Sequence, residues 1–303
     1  MHNSVLLNES IEYLNIKDDS IIVDCTLGYG GHSSEILKRV KNGHLYCFDQ
    51  DLEAINSSKK RLKSISDNYT IINSNFVNMK DELNKLGIDK VNGILYDLGV
   101  SSPQLDEDYR GFSFHKDAKL DMRMNQEQIL SAYNVVNEYD ETKLSEIIFK
   151  YGEEKYSRSI AKNIVKNRPI NTTLELVEII KMSMPFKAMR DSHPARKTFQ
   201  AIRIEVNNEL EVLKIALEDA ISMLKVGGRV SVITFHSLED RIVKEIFNKY
   251  SKVDKNLSNL PFIPEEFEPK YKIIANITPS KEELEDNNRA RSSRLRVIEK
   301  IKG

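Results

Sequence analysis

The first hundred residues alternate between short apolar runs and stretches in which apolar positions recur every three or four residues. The apolar runs cover residues 21–23, 44–48, 69–73 and 91–96. β-Branched runs of this length are typical of buried parallel strands, and the spacing between them is typical of amphipathic helices. Four successive strand-helix units predict an α/β fold with a doubly wound parallel sheet, which binds ligands at the carboxyl ends of its strands.

The pattern changes near residue 110, where strand-like runs stop. Helical spacing then continues to about residue 205, which predicts an all-helical insertion at residues 110–205. The insertion should contain four or five helices, one of them capped by Thr172 or Thr173. Residues 1–109 and 206–303 together then form the sheet domain.

The sheet pattern resumes after the insertion. A helical pattern runs from about residue 195 to 224, and residues 229–235 form a fifth apolar run. Ser237 is the predicted N-cap of the helix that follows. Residues 280–283 fit a capping box, and residues 295–298 predict a closing strand.

A glycine-rich loop joins the first strand to its helix. Residues 24–33 read DCTLGYGGHS, with glycine at Gly28, Gly30 and Gly31. A turn without Cβ atoms lets backbone N–H groups approach a ligand, and the helix N-terminus behind it favours polar or anionic groups. The third glycine of the dinucleotide fingerprint is absent at its usual offset, so a tight turn without a ligand is the alternative.

The second strand ends in two carboxylates with different predicted roles. Asp49 lies about 20 residues beyond the glycines, where doubly wound folds use an acidic residue to bind ribose hydroxyls. Asp51 fits the N-cap of the next helix, at residues 52–64, with Glu53 in its first turn. Asp49 is therefore the candidate ligand, and Asp51 has a structural interpretation.

The loop after the fourth strand is rich in groups able to face a substrate. It carries the Asp97 carboxylate, the hydroxyls of Ser101 and Ser102, the rigid Pro103 and the Gln104 amide. Both this loop and the glycine-rich loop should lie at the same edge of the sheet. The alternative interpretation is a Ser-Pro turn capped by Asp97.

Histidine and cysteine positions give little sign of metal or redox chemistry. Cys25 and Cys47 fall in adjacent predicted strands without zinc spacing, so they are expected to be reduced core residues, and no metal site is predicted. His236 follows the fifth strand and is either catalytic or a hydrogen-bonded structural residue. No secretory leader or membrane span is evident, which predicts a cytoplasmic protein with no membrane partner.

The overall charge neither requires nor excludes a polyanionic partner, because the 45 Lys and Arg residues are nearly balanced by 46 Asp and Glu residues. Basic residues nevertheless cluster in the insertion and near the end of the chain, which fits a phosphate-backbone contact. The alternative is an ordinary solvated surface. The candidate phosphate-binding residues include Arg196, Lys197, Arg203, Arg289, Arg291 and Arg294.

These motifs together resemble one family: the bacterial MraW-type methyltransferases, which methylate the exocyclic amine of a cytidine in small-subunit ribosomal RNA. The resemblance covers nearly the whole chain. The sequence departs from the family pattern at Lys119, Thr234, Asn288 and Ser293. These departures concern the shape of loops and the geometry of the C-terminal tail, and not the activity. The motifs that carry it are residues 5–9, 24–33, 97–106, 110–114, 120–124, 151–154, 168–170, 193–195, 199–204 and 235–241.

The resemblance implies a Rossmann-like class I methyltransferase sheet with an inserted helical domain. It implies S-adenosyl-L-methionine as cofactor and the N(4) amine of a cytidine in the decoding region of 16S rRNA as the target, with the small ribosomal subunit as the setting. The family's cofactor contacts then carry over onto Gly30, Gly31, His32, Asp49, Phe76, Asp97 and Gln104.

Methylation of this amine sets a chemical requirement. The amine lone pair is delocalised into the cytosine ring, so acceptors must hold the amine hydrogens and favour the attacking form, with the methyl group in line. Asp97, Ser101, Ser102 and the carbonyl next to Pro103 are the catalytic candidates. No metal is required by this chemistry.

Other functional classes share part of this pattern. A nicotinamide-dependent dehydrogenase would use the glycine loop and Asp49 but gives no reason for the Asp97 loop. A non-catalytic RNA-binding assembly factor would need neither carboxylate. A methyltransferase acting on protein or DNA is a closer alternative. The sequence does not determine which cytidine is modified, whether free RNA or an assembled subunit is the substrate, or whether the chain forms a homodimer.

Overall fold

The computed structural model describes residues 4–100, 109–190, 193–253, 257 and 264–303. The chain divides into two compact units. One consists of Met1–Gly99 with Leu210–Gly303 and is called the sheet unit below; the other is Val100–Glu209, called the helical unit. The helical unit begins earlier and ends later than the insertion expected from the sequence.

The sheet unit contains a seven-stranded sheet in the order β3-β2-β1-β4-β5-β7-β6. The first five strands are parallel, and β7 is antiparallel to both β5 and β6. The predicted doubly wound α/β fold is therefore confirmed. The strands are β1 (Ile21–Asp24), β2 (His44–Asp49), β3 (Tyr69–Asn73), β4 (Val91–Asp97), β5 (Leu224–Thr234), β6 (Tyr271–Ile277) and β7 (Arg294–Lys300).

The α-helices of the described chain fall into both units. They are α1 (Leu7–Tyr13), α2 (Gly31–Leu37), α3 (Leu52–Lys63), α4 (Met79–Lys85), α5 (Ala132–Glu138), α6 (Glu141–Gly152), α7 (Ser157–Lys166), α8 (Thr173–Met182), α9 (Arg196–Asn207), α10 (Glu209–Met223), α11 (Ser237–Ser251) and α12 (Lys281–Asp286). Asp51 caps α3 through the backbone N–H of Glu53, as predicted.

Helices cover both faces of the sheet, which explains why its strands read as continuous apolar runs. Successive strand residues point to opposite faces, so Ile22 and Leu95 pack against α1, α2 and α3, whereas Val23 and Ile94 pack against α4, α10 and α11. All four side chains are fully buried. The two apolar layers fix the register of the strands and therefore the position of the loops at their carboxyl ends.

The helical pattern predicted for residues 195–224 corresponds to two helices in the structure, α9 and α10. α9 ends at Asn207, and Asn208 adopts a left-handed backbone with φ of 50° before α10 begins. Asparagine tolerates this conformation better than other L-residues. The apolar spacing continues across the break, so the hydrophobic pattern did not indicate it.

The predicted N-cap of α11, Ser237, was wrong. His236, and not Ser237, is the N-cap: its ring accepts from the N–H of Glu239 at 3.4 Å, and the Glu239 carboxylate accepts from the N–H of His236 at 3.3 Å. A neutral imidazole nitrogen is an acceptor and can replace the usual hydroxyl. His236 therefore has a structural role in this helix.

The helical unit has its own apolar core, to which α5 to α9 contribute. Thr172 caps α8 in a capping box with Glu175, so the first of the two predicted caps is confirmed. Gly152, the last residue of α6, packs against α9: a Cβ placed on it would lie 2.6 Å from the backbone oxygen of Lys197. Close contact between these two helices therefore requires glycine at this position.

We expect Gly152→Ala to destabilise the protein by about 1–3 kcal/mol, because α6 and α9 must separate to admit the methyl group. Thermal unfolding should show a lower Tm than the parent chain. Gly303→Ala is the control, since no heavy atom lies within 4 Å of its Cβ position. An unchanged Tm for Gly152→Ala would mean that α6 and α9 can separate at little cost in stability.

Within the described residues, no helix is both long enough and apolar enough to span a membrane.

Candidate active site

Asp24 closes the glycine-rich loop at the end of β1. Its carboxylate accepts from the N–H of Thr26 at 3.1 Å and from the Ser33 hydroxyl at 2.6 Å, and its side chain is fully buried. Burial raises the pKa of Asp24, and both of these hydrogen bonds oppose that rise. One buried carboxylate thus joins the strand end to the first turn of α2.

The glycines of this loop are required by its backbone. Gly28 and Gly30 have φ of +48° and +75°, which L-residues with side chains rarely adopt. A Cβ on Gly28 would have no neighbour closer than the Thr26 oxygen at 3.9 Å, so this side of the loop is open. A Cβ on Gly31 would instead lie 1.9 Å from the Ser4 hydroxyl oxygen. A Cβ on Gly30 would lie 3.3 Å from the Ser58 Cβ. The loop therefore forms a cradle that is open at Gly28 and closed at Gly31.

Asp49, at the end of β2, holds the cradle from the neighbouring strand. Its carboxylate accepts from the N–H of Gly28 at 2.8 Å and from the N–H of Asp51 at 2.9 Å. Burial raises the pKa of Asp49 to about 6, although both hydrogen bonds favour the charged form. At neutral pH the Asp49 carboxyl group is therefore largely ionised. Its residue is half-buried, so part of it stays accessible to a ligand.

Phe76 lies in a short 3-10 helix after β3. Its half-buried ring meets Tyr96 edge-to-face, with ring centroids 5.4 Å apart. The Asn75 side-chain amide donates to the Gln50 side-chain oxygen at 3.0 Å, which ties this loop to the one after β2. These contacts place an aromatic ring at the edge of the sheet that Asp49 occupies.

Asp97 ends β4, which pairs in parallel with β1. Its backbone N–H donates to the Thr26 hydroxyl at 2.7 Å, so the start of the fourth-strand loop is bonded to the glycine-rich loop. The two loops start at the same edge of the sheet, as the sequence predicted. Ser101, Ser102, Pro103 and Gln104, which complete the predicted site on this loop, lie outside the described residues.

His32, in the first turn of α2, faces Asp97. The Nδ1 of His32 lies 3.5 Å from the Oδ2 of Asp97. Burial lowers the pKa of His32 to about 4. Burial, together with the charges of Asp24 and Glu239, raises the pKa of Asp97 to about 8. At pH values between these two pKa values the pair holds one proton, because burial disfavours the charged form of both side chains.

Two buried polar atoms of this pair lack a hydrogen-bond partner among the described residues: Nε2 of His32 and Oδ1 of Asp97. Buried polar atoms in native proteins are nearly always hydrogen-bonded, so unpaired ones at a strand edge indicate a place for a ligand. The open cradle, the ionised Asp49 and the Phe76 ring lie along the same edge. Together they fit a ligand with hydroxyl groups and an aromatic base.

A comparison of the sequence with models of protein families finds the MraW methylase family over residues 1–301. The chain belongs to this family. It is 54% identical over 307 residues to Ribosomal RNA small subunit methyltransferase H of Exiguobacterium sibiricum, covering 99% of this chain and 98% of the relative.

Solved structures similar to this MraW methylase include a protein from Clostridium thermocellum, with a TM-score of 0.47, 16% identity and 99% coverage of both chains. A Streptococcus mutans protein in complex with SAH has a TM-score of 0.46, 11% identity and 99% coverage of both chains.

The candidate RNA-binding residues of the helical unit of this methylase differ in their surroundings. Arg196 is exposed in the first turn of α9. The Lys197 ammonium donates to the Glu153 backbone oxygen at 2.9 Å. Arg203 forms a bidentate ion pair with Glu209, both bonds measuring 2.8 Å, and is only 16% exposed. Arg203 is therefore less suited to bind a phosphate than Arg196.

The arginines near the end of the chain also differ. Arg289 and Arg291 are exposed on a 3-10 helix, Asn288–Ser292. Arg294 donates to the Asn276 side-chain oxygen at 2.8 Å and lies 3.9 Å from an Asp240 carboxylate oxygen. The structure thus places Arg294 beside Asn276 and Asp240, and the side chains of Arg289 and Arg291 are exposed.

Sequence reasoning missed several residues of this site. The missed residues include Asp24, which binds Thr26 and Ser33, and Thr26, which also binds Asp97. The sequence feature that could have indicated them is the set of small polar residues directly after a strand. Glu239 is 2% exposed, accepts from the N–H of Phe235 at 2.8 Å, and contributes to the high pKa of Asp97. Its spacing after His236 was visible, but the capping role of histidine was not expected.

Proposed function

We propose that this MraW methylase transfers a methyl group from S-adenosyl-L-methionine to the exocyclic N(4) amine of a cytidine in the decoding region of 16S rRNA. The observation that carries the proposal is Asp97, a shielded carboxylate with one oxygen that has no hydrogen-bond partner among the described residues. Its backbone N–H is bonded to the glycine-rich loop at 2.7 Å. The 54% identical relative, Ribosomal RNA small subunit methyltransferase H, supports the choice of substrate.

The residues along the strand ends would hold the cofactor in the following way. The Asp49 carboxylate accepts hydrogen bonds from the ribose hydroxyls, and the Phe76 ring contacts the adenine. The loop around Gly30, Gly31 and His32 lies against the amino-acid portion, and Gln104 is proposed to complete the site. When bound, S-adenosyl-L-methionine supplies a methyl group activated by a positively charged sulfur.

Asp97 acts on the target amine. In its ionised form it accepts a hydrogen bond from the amine, which draws the nitrogen lone pair out of conjugation with the ring, and it can take up the proton that the amine loses. A pKa of about 8 suits this task, since a base works best when its pKa is near the working pH. Ser101, Ser102 and the carbonyl next to Pro103 are the proposed further acceptors.

His32 orients Asp97. Its low pKa of about 4 keeps the ring neutral at physiological pH. The Nδ1 atom can therefore face the Asp97 carboxyl group without forming an ion pair that would take the place of the substrate amine. Asp24 holds the loop that carries both His32 and Thr26, and it adds negative charge that helps to keep the pKa of Asp97 high.

The substrate side of the proposal concerns RNA within the small ribosomal subunit, in the cytoplasm. A cytidine amine is reached only when the base is unstacked, which costs least in irregular or single-stranded RNA. We assign the contacts with the phosphate backbone to cations of both units: the exposed Arg196 and the half-buried Lys197 on α9, and the exposed Arg289 and Arg291 near the end of the chain.

We expect the double variant Arg196→Ala, Lys197→Ala to bind RNA more weakly and with a shallower salt dependence. Each lost phosphate contact should reduce the slope of log K against log [salt] by about 0.7–0.9. Binding of fluorescent RNA across a salt series measures this, and calorimetry should show unchanged cofactor affinity.

Lys85→Ala is the control for this double variant, because it also removes an exposed cation, one paired with Glu82 in the sheet unit. Its salt slope should equal that of the parent chain. A double variant with the parent slope would remove α9 from the RNA contact. Equal losses of RNA and cofactor affinity would indicate damaged folding instead.

The activity itself is tested by incubating the protein with labelled S-adenosyl-L-methionine and, separately, free 16S rRNA and assembled small subunits. Digestion to nucleosides should place the label on N(4)-methylcytidine, and fragment mapping should place it in the decoding region. Label on protein, on DNA or on another nucleoside would contradict the proposal. The two RNA forms also distinguish naked RNA from the assembled subunit as the substrate.

A further inference from the structure

We propose that Glu283 is a positioning residue for methyl transfer: it holds residues 4–6, called the strap below, across the start of α2 and so fixes His32 against Asp97. This inference rests on the proposed function for the role of Asp97. The contacts themselves are all within the sheet unit and can be measured without any assay of activity.

Glu283 departs from the role that its sequence context predicts. Ser280 caps α12 by accepting from the N–H of Glu283 at 3.1 Å, which is half of a capping box. In the other half, the glutamate would accept from the N-cap N–H. The Glu283 carboxylate instead accepts from the N–H of Leu6 at 2.7 Å, across 277 positions of the chain. The predicted capping box was therefore only half correct.

The strap is fixed at Leu6 by two independent contacts. The Leu6 side chain is fully buried in a cluster with Ile233 and Leu295, while its N–H is bound by Glu283. Its backbone has φ of 49°, a left-handed conformation that is unfavourable for a residue with a side chain. Such a conformation persists only where surrounding contacts impose it, and it is common at functional sites.

The strap lies directly against the cofactor cradle. A Cβ on Gly31 would be only 1.9 Å from the Ser4 hydroxyl oxygen, so the strap and the first turn of α2 are in close contact. The backbone carbonyl of Val5 favours the protonated form of the His32 ring, against the larger effect of burial. His32 in turn lies 3.5 Å from Asp97. Glu283 is thus connected to Asp97 through Leu6, Val5 and His32.

The variants Glu283→Ala and Glu283→Gln separate positioning from general stability. Glutamine keeps a side-chain oxygen able to accept from Leu6, and alanine does not. We expect Glu283→Ala to lower kcat by about 10- to 100-fold with little change in KM, because a misplaced catalytic group slows the chemical step. Glu283→Gln should retain most of the activity. Glu282→Ala, the adjacent and exposed carboxylate, is the control and should match the parent chain.

Hydrogen-deuterium exchange gives a readout that does not depend on methyl transfer. In Glu283→Ala, exchange should increase in peptides covering residues 4–9 and 28–36 and stay unchanged elsewhere in the sheet unit. An increase spread over the whole sheet would overturn the proposal, as would parent activity in Glu283→Ala or equal impairment in Glu283→Gln. If the parent chain showed no methyl transfer, the proposed function would fail while the exchange result still tested the strap.

Discussion

Asp97→Asn should lower the rate of methyl transfer at saturating substrates by about 10²- to 10³-fold, the loss typical of removing one preorganised polar group from a transition state. Asparagine keeps the shape and the backbone bond to Thr26, but it cannot accept a proton or carry a negative charge. Single-turnover kinetics with labelled S-adenosyl-L-methionine measures the chemical step. The cofactor Kd should change much less than the rate, since the ribose and adenine contacts are assigned to Asp49 and Phe76.

The same substitution should stabilise the fold at alkaline pH. Below the ordinary pKa of 3.8, both folded and unfolded chains hold the Asp97 proton. Between 3.8 and about 8 only the folded chain holds it, so stability falls as pH rises, and above about 8 the full cost of a buried charge remains. Asparagine avoids this cost. The Tm of Asp97→Asn should exceed that of the parent at pH 9, by about 2–4 °C for each kcal/mol relieved.

These two measurements together define the role of Asp97. A slow but more stable variant is the signature of a group kept for chemistry at the expense of stability. A variant that is slow and less stable would instead identify Asp97 as a structural residue. Full turnover in a folded Asp97→Asn protein would remove it from the reaction altogether.

Asp49→Ala should weaken cofactor binding by about 100-fold, measured by calorimetry with S-adenosyl-L-methionine. The variant loses the acceptor for the ribose and leaves the N–H groups of Gly28 and Asp51 unpaired, so the cradle itself loosens. Hydrogen bonds to a charged group contribute about 1.5–3 kcal/mol each, and a loss of this size corresponds to roughly 10- to 150-fold in affinity.

The pH dependence of cofactor binding provides a second measurement of Asp49. Because burial raises its pKa to about 6, affinity for the cofactor should increase as pH rises through 6 and the carboxylate ionises. Asp49→Asn should show no such increase. Asp51→Ser is the matched control: it removes a carboxylate two residues away but keeps an N-cap for α3, so its affinity and pH profile should stay close to the parent. A flat profile in the parent chain would contradict ionisation of Asp49 as the controlling step.

The sheet and the position of the site could be predicted because both follow from local patterns. Strands buried on both faces leave uninterrupted apolar runs, as at Ile22 and Val23, and helices between them force parallel pairing. Parallel pairing brings the carboxyl ends of β1, β2 and β4 to one edge. Asp49 and Asp97 therefore had to lie near the glycine-rich loop, whatever the details of packing.

Features that depend on distant contacts could not be predicted. The edge strand β6, with its mixed polar and apolar residues, gave no clear apolar run. The break at Asn208 leaves the hydrophobic spacing intact. Glu283 matched a local capping rule, yet its carboxylate binds Leu6, and nothing near it in sequence indicates that partner. Failures of local rules at such positions mark places where tertiary contacts, or function, decide the conformation.

The strand order has a consequence for how this chain is made. β7 lies between β5 and β6 although it is translated after both of them. Until residues 294–300 leave the ribosome, one side of β5 has no hydrogen-bonding neighbour and β6 has nothing to join. A nascent chain at that stage exposes an open sheet margin prone to association with other chains. Completion of the sheet, and with it the anchoring of Leu6 beside Leu295, is therefore a late event in the biogenesis of the enzyme.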